Sequence, residues 1–331
     1  MLLNIIFICL GFLLLVKGGD WLVVGATHIA RKARLSPMVI GITVIGFGTS
    51  APELFVSLQA AIDHSPGLSI GNVVGSNIAN IALILGATAA IVPCVSKQRT
   101  LRVDMPVMAL ACVLLMAVGL SGTIGRVAGI VGVLILVGFV SMEVIHSRKE
   151  QALGGSSASS LAPVIDEQEE PEQIMALWKA IPLALFSFGL LLLGANLLIK
   201  GASDVALRIG GAIGADPKEM ERIIGLTIVA VGTSLPELFA SVMAARKGES
   251  DMAVGNIIGS VTFNIFCGIG LTATICPIEG SDAGFIVDYG LMVVLALLLW
   301  LFMRTSRLLE RWEGIILLCI YVSYICYTIV S

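Results

Sequence analysis

The sequence predicts an all-α polytopic membrane protein, with ten transmembrane helices in two inverted-topology five-helix repeats and discontinuous helices at the core. Three observations predict it. Of the 331 residues, 57% are hydrophobic and 13% charged, whereas an average soluble domain is about a quarter charged and under half apolar. The apolar residues come in runs of roughly 18 or more, long enough to cross a bilayer core as helix. One stretch also occurs twice, at Gly41 to Phe55 and at Gly225 to Phe239. Each copy sets a carboxylate, Glu53 or Glu237, directly after a proline inside an apolar run.

Taken in order, the spans fall at about 2–30, 37–63, 68–92, 102–120 and 125–146, then 177–208, 220–245, 251–276, 284–303 and 312–330. The stretch Met1 to Val16 has the apolar character of a signal-peptide core, but no Lys or Arg precedes it, so it reads as the first span. Residues 1–146 form the first repeat and 177–331 the second. Between them, 147–176 is polar, with Gly154-Gly155-Ser156-Ser157 followed by Asp166, Glu167, Glu169, Glu170 and Glu172. Such a composition buries too little surface to fold alone and reads as an acidic linker. The seven cysteines are scattered through apolar runs without a CxxC or Cys/His cluster, which excludes a zinc or disulfide framework.

Charge distribution gives the orientation. With the N-terminus outside, the inside loops collect fourteen of the 20 Lys and Arg residues, and the outside loops hold only Arg126, Arg208, Lys218 and Arg222. Lys17 and Lys200 lie within spans. By the positive-inside rule both termini are outside and the linker is cytoplasmic.

The halves align by eye. At an offset of 184, Gly48, Thr49, Ser50, Pro52, Glu53 and Ser57 fall on Gly232, Thr233, Ser234, Pro236, Glu237 and Ser241. Asn72, Ser76 and Asn80 fall on Asn256, Ser260 and Asn264, and Asp104 on Asp288. The first span aligns at 176, the extra residues sitting around Asp216-Pro217. Five spans per half is odd, so the second copy enters the membrane from the opposite side, a common construction of secondary transporters.

The repeated residues carry chemistry. Proline removes a backbone donor and frees the carbonyl four residues back, at Gly48 or Gly232. Broken helices are tolerated in hydrocarbon where they line a cavity. Thr49, Glu53 and Ser57 share one face if the helix continues through the kink, as do Thr233, Glu237 and Ser241. Asn72, Ser76 and Asn80, with their counterparts, give a second polar stripe, and Gly71-Gly75 and Gly255-Gly259 are GxxxG pairs that permit close helix approach. Carboxylate, hydroxyl, amide and backbone oxygens suit hard cations such as Ca²⁺ and Na⁺. Two glutamates give a formal charge of −2, which one Ca²⁺ or two Na⁺ neutralises. An empty site leaves two anions near the midplane at a cost of several kcal/mol or more each, so the empty carrier switches sides poorly and exchange is obligatory. Asp20, Asp104 and Asp288 lie near span ends and read as snorkelling or capping groups, and Glu143 as interfacial.

At these motifs, Gly-Thr-Ser-x-Pro-Glu followed by Gly-Asn-x-x-Gly-Ser-x-x-x-Asn, the sequence resembles the calcium/cation antiporter superfamily, and within it the prokaryotic sodium/calcium exchangers. The resemblance implies Ca²⁺ export driven by the sodium gradient through alternating access, with spans one and six sliding against the rest. It implies Glu53 and Glu237 as shared cation ligands, with Thr49, Ser50, Thr233 and Ser234 adding hydroxyl or carbonyl oxygens. It further implies Ser76 and Ser260 at outer Na⁺ positions, Asn80 at the centre, and backbone carbonyls of Gly46 and Ala230. Asn264 stands where well-studied exchangers often carry aspartate, which argues against potassium dependence. No cofactor is implied beyond the transported Ca²⁺ and Na⁺, and no nucleic acid; the implied setting is a monomer in the inner membrane of a prokaryote. Competing readings are an H⁺/Ca²⁺ antiporter, a passive channel, and an intramembrane aspartyl protease using Asp20 and Asp288. The last leaves the duplicated glutamates without a role.

Overall fold

Backbone polar groups in hydrocarbon must be satisfied internally, and a helix does so within one segment. The computed structural model describes residues 2–152, 175–212, 230–279 and 285–330, and these are mostly helical. The first half contains α1 (Leu2–Ala33), α2 (Pro37–Thr49), α3 (Ala51–Ile62), α4 (Pro66–Ile91), α5 (Thr100–Leu120) and α6 (Arg126–Ala152). The second contains α7 (Leu177–Ala212), α8 (Ala230–Thr233), α9 (Leu235–Arg246), α10 (Ser250–Ile275), α11 (Ile286–Ser306) and α12 (Arg311–Val330). Among the described residues seven helices are long and apolar enough to cross a membrane, and the bent pair α2 and α3 makes one more. The start of the span expected over 220–245, the Asp216-Pro217 loop and most of the linker lie outside the described residues.

The inversion is visible in packing. The first helices of the two repeats, α1 and α7, lie along each other. Gly11 sits against Gly194, Gly18 against Leu191 and Gly25 against Ala184. As one number rises the other falls, so equivalent helices run antiparallel. Two short antiparallel ribbons repeat the relationship at the membrane faces. Cys94–Val95 pairs with Leu308–Leu309, and Thr123–Ile124 pairs with Ile278–Glu279. Each ribbon joins two loops that the charge pattern assigns to the same side.

The break between α2 and α3 differs from a kink through which the helix continues. The helix stops at Thr49, Ser50 takes φ −86° and ψ 0°, and α3 starts at Ala51, with a 45° bend between the two halves. Pro52 therefore sits in the first turn of a new helix, where its missing N–H is no loss. The other repeat does the same: α8 ends at Thr233, Ser234 takes φ −91° and ψ 4°, and α9 starts at Leu235. Thr49 thus belongs to one half-helix, and Glu53 with Ser57 to the next.

Three further features escaped the sequence. The backbone widens to π-helix at Gly41–Ile45, Ala79–Leu85, Thr100–Asp104 and Asn264–Ile269. Single π turns inside α-helices are frequent at functional sites, and Asn80 and Asn264 sit in matching ones. Helix α6 runs on to Ala152, past the expected end at 146, because Ser147 is pinned there, its hydroxyl accepting from the Ser36 N–H at 2.7 Å. Asp104 and Glu143 are neither snorkelling nor interfacial, since both are fully buried. Arg99 reaches in to Glu143 through two bonds of 2.6 and 2.5 Å, and to Asp104 at 3.4 Å. A bidentate guanidinium is what lets two carboxylates lie there desolvated.

Candidate cation-binding site

The site is built from the two helix breaks. Glu53 lies in the first turn of α3 and Glu237 in the first turn of α9. The partial positive charge of a helix N-terminus favours an anion there. Both carboxylates are buried, Glu53 at 2% exposure and Glu237 at 0%.

An amide clamp fixes each break against the neighbouring helix. Asn72 donates to the Ser57 hydroxyl at 2.8 Å and to the Glu53 carbonyl at 3.0 Å. Asn256 donates to the Ser241 hydroxyl at 2.8 Å and to the Glu237 carbonyl at 3.3 Å. The clamp uses backbone and hydroxyl oxygens and leaves the two carboxylates for other work.

The halves meet where α2 crosses α10. A Cβ on Gly41 would lie 2.5 Å from the Met252 carbonyl, and one on Gly255 2.6 Å from that of Met38. A Cβ on Gly259 would collide with the Ile42 carbonyl. Only glycine admits this approach. Among the described residues, a Cβ on Gly71 would meet only the Phe285 ring, at 3.5 Å, and one on Gly75 would meet nothing within 4 Å. The crossing brings Ser260 of one repeat to the Gly46 carbonyl of the other, Oγ to O at 3.5 Å. It sets Thr49 Oγ1 3.5 Å from Asn256 Oδ1, while Thr49 also donates to the Ile45 carbonyl at 3.0 Å. The Glu237 carboxylate lies near the Thr49 and Ser50 hydroxyls and within the field of Glu53, without a hydrogen bond of ordinary geometry to either hydroxyl.

The remaining candidates take matching places. Asn80 and Asn264 are buried in their π turns, with Ser76 and Ser260 four residues earlier. Ser234 occupies the break as Ser50 does, Thr233 ends α8 as Thr49 ends α2, and Ala230 lies in α8 at the position inverted from Gly46. Ser50 and Asn264 share a small cavity with Phe47 and Phe263, whose rings are 5.4 Å apart.

The polar atoms left over define the chemistry. At the two breaks and the matching π turns, Glu53 Oε2, both Glu237 carboxylate oxygens, Ser50 Oγ, Ser234 Oγ, Asn80 Oδ1 and Asn264 Oδ1 are buried without a hydrogen-bond partner among the described residues, while atoms such as Asn4 Nδ2, Asp104 Oδ2 and Thr272 Oγ1 are so elsewhere. Buried polar atoms are nearly always paired, so a cluster of exceptions calls for a reason. Those at the site are all oxygens, two of the groups are anionic, and oxygen ligands bind hard cations.

Asp20 and Asp288 are not brought together with these groups. Asp20 pairs with Lys247 at 2.8 Å, and Asp288 accepts from the Tyr324 hydroxyl at 2.9 Å. Asn77, which carried no repeat signal because Val261 stands at its inverted position, lies fully buried against Asn264.

An inverted helical repeat with broken helices at its centre is the architecture of a secondary membrane transporter. The profile for sodium/calcium exchanger protein matches residues 3–144 and 179–330, and the chain belongs to that family. It is 34% identical over 323 residues to inner membrane protein YrbG of Escherichia coli (strain K12), covering 96% of this chain and 94% of that one. It is 30% identical over 348 residues to sodium/calcium exchanger MaX1 of Methanosarcina acetivorans, covering 97% of each. The solved structure of the sodium-calcium exchanger NCX_Mj, soaked with zero Na⁺ and Ca²⁺, is similar at a TM-score of 0.80 and 30% identity over 99% of both chains.

Proposed function

We infer that the protein exchanges Ca²⁺ for Na⁺ across the membrane by alternating access, and that the exchange takes place at the oxygens around Glu53 and Glu237. The observation that carries this reading is the set of buried, unpartnered oxygens contributed by both repeats, among the described residues. Glu53 and Glu237 are the shared ligands of Ca²⁺ and Na⁺. Thr49, Ser50, Thr233, Ser234, Ser76, Ser260, Asn80 and Asn264, with the carbonyls of Gly46 and Ala230, complete the shells.

Charge decides which forms move. Two carboxylates held in low dielectric repel each other and have lost their water, at a cost of several kcal/mol per ion. One Ca²⁺ neutralises the pair, as do two Na⁺, and a third Na⁺ leaves a single positive charge. The loaded forms cross between states, and the empty form carries its full penalty. Coupling therefore needs no covalent step: the ion that leaves must be replaced before the helices move. Asn264 contributes an oxygen without a charge, which holds the count at two carboxylates.

The same reading assigns the chain to the inner membrane of a prokaryote as a monomer, with residues 1–146 and 177–331 as the repeats. Both termini are outside and the linker is cytoplasmic. The ribbon partners, each drawn from loops of one predicted side, support that grouping.

Purified protein in liposomes tests the proposal. An imposed Na⁺ gradient drives ⁴⁵Ca²⁺ uptake, and uptake stops when Na⁺ is absent from both sides. Uptake driven by a pH gradient without Na⁺ would replace this reading with proton exchange, and uptake with no counter-ion would make the protein a channel.

A further inference from the structure

The structure assigns Asn77 as a positioning residue that fixes the carbonyl oxygen of Asn264 toward the cation site, through a relay that begins at Met292. The inference rests on the reading of Asn264 as a cation ligand.

The relay follows from what each group can do. A thioether sulfur only accepts hydrogen bonds, and weakly, whereas an asparagine amide has a donor end and an acceptor end. Met292 on α11 is fully buried, and its sulfur lies 3.7 Å from Asn77 Nδ2. The acceptor-only sulfur turns the NH₂ end of Asn77 toward itself, so the Asn77 oxygen must point the other way. That oxygen accepts from Asn264 Nδ2 at 3.1 Å. The donor end of Asn264 is thereby engaged, and its Oδ1 faces away from the relay. This Oδ1 is one of the buried oxygens without a hydrogen-bond partner among the described residues.

All three side chains are nearly or fully sealed, with exposures of 0% for Met292 and Asn77 and 2% for Asn264. No water competes for the bonds, and a flip of either amide would set oxygen against sulfur or N–H against the cation. Buried polar networks of this kind specify one arrangement when every member is satisfied.

The relay belongs to one repeat's site residue only. At the inverted positions Val261 replaces Asn77, while Met108 matches Met292, and both are fully buried. Asn80 therefore lacks an amide partner at that place. The two asparagines are equivalent in sequence but not in restraint: Asn264 is a held ligand, and Asn80 is free of this particular hold. A neutral residue can serve at position 264 because the relay commits its oxygen, and not its N–H, to the ion.

The test uses reconstituted full-length protein and ⁴⁵Ca²⁺ uptake driven by a Na⁺ gradient. Asn77→Val installs the residue that the inverted position already tolerates. It raises the Ca²⁺ concentration for half-maximal uptake about tenfold, the scale of one buried hydrogen bond lost at a ligand, with the maximal rate within about twofold. Met292→Leu keeps the volume, removes the acceptor, and shifts half-saturation in the same direction by less. In an Asn264→Ala background Asn77→Val adds nothing, because its effect runs through the amide that is gone. Independent effects that multiply in the double variant would overturn the relay, as would an unchanged half-saturation in Asn77→Val. Asn264→Ala leaving half-saturation unchanged would instead overturn the reading of Asn264 as a ligand. Should Asn77→Val fail to reach the membrane, Met292→Leu with and without Asn264→Ala gives the same comparison.

Discussion

Asn256 holds the Ser241 hydroxyl at 2.8 Å, one helix reaching across to the next just behind Glu237. The same amide hydrogens reach the Glu237 carbonyl, so the bond sets the backbone of the charged residue without occupying its carboxylate. Asn256→Ala removes a positioning contact and leaves the charges in place. Apparent Ca²⁺ affinity in liposome uptake falls about tenfold, the range for leaving a buried acceptor unpaired. Asn72→Ala does the same through Ser57 and Glu53. Abolished transport in correctly inserted protein would give these residues a larger role than positioning.

The glutamates behave differently. Glu53→Gln or Glu237→Gln keeps shape and burial but removes half of the formal charge. Ca²⁺ then sees a site one charge short, and Na⁺-driven ⁴⁵Ca²⁺ flux is lost while membrane insertion is retained. Near-normal flux in both variants would sink the site assignment.

The crossing of α2 and α10 has no room for a methyl group at Gly259. Gly259→Ala forces the Ile42 backbone aside and destabilises the protein by about 1–3 kcal/mol, the usual cost of overpacking. Among the described residues, Gly138 on α6 has no neighbour where a Cβ would sit. Gly138→Ala is neutral or stabilising by up to about 1 kcal/mol through helix propensity. Thermal unfolding in detergent compares the two, and equal midpoints would mean that the crossing yields without cost.

The Arg99 cluster predicts an order of damage. Arg99→Leu strands both Glu143 and Asp104 in the interior. Glu143→Leu leaves Arg99 its second partner. Breaking a buried pair typically costs about 3–5 kcal/mol, and Arg99→Leu falls at the upper end of that range and Glu143→Leu below it. Detergent melting curves read the order, and the reverse order would show that Arg99 is not the group that keeps these carboxylates buried.

Several of these features are legible in the sequence, and others are not, for physical reasons. Glu53, Glu237 and the Asn-Ser stripes announce themselves because a charge or amide in an apolar run is costly and a duplicated cost is not an accident. Odd span number and loop charge likewise dictate an inverted repeat, since the bilayer leaves few topologies open. Asp104 and Glu143 look like span-end groups in the sequence, because position along the chain shows nearness to a span end but not the guanidinium that meets them there. Asn77 carries no repeat signal, because Val261 stands at its inverted position.

By itself the sequence determined the membrane class, the duplication, the residue types of the site and their family. Those follow from hydropathy, period and motif, which are properties of the chain read along its length. Tertiary structure alone decided that the helices break cleanly after Thr49 and Thr233 and that Ser260 meets Gly46 across the repeats. It also decided that Asn264 presents oxygen and not N–H. Each of these depends on which atoms arrive from a distant part of the chain, and a hydrogen bond's direction is set only when its partner is in place.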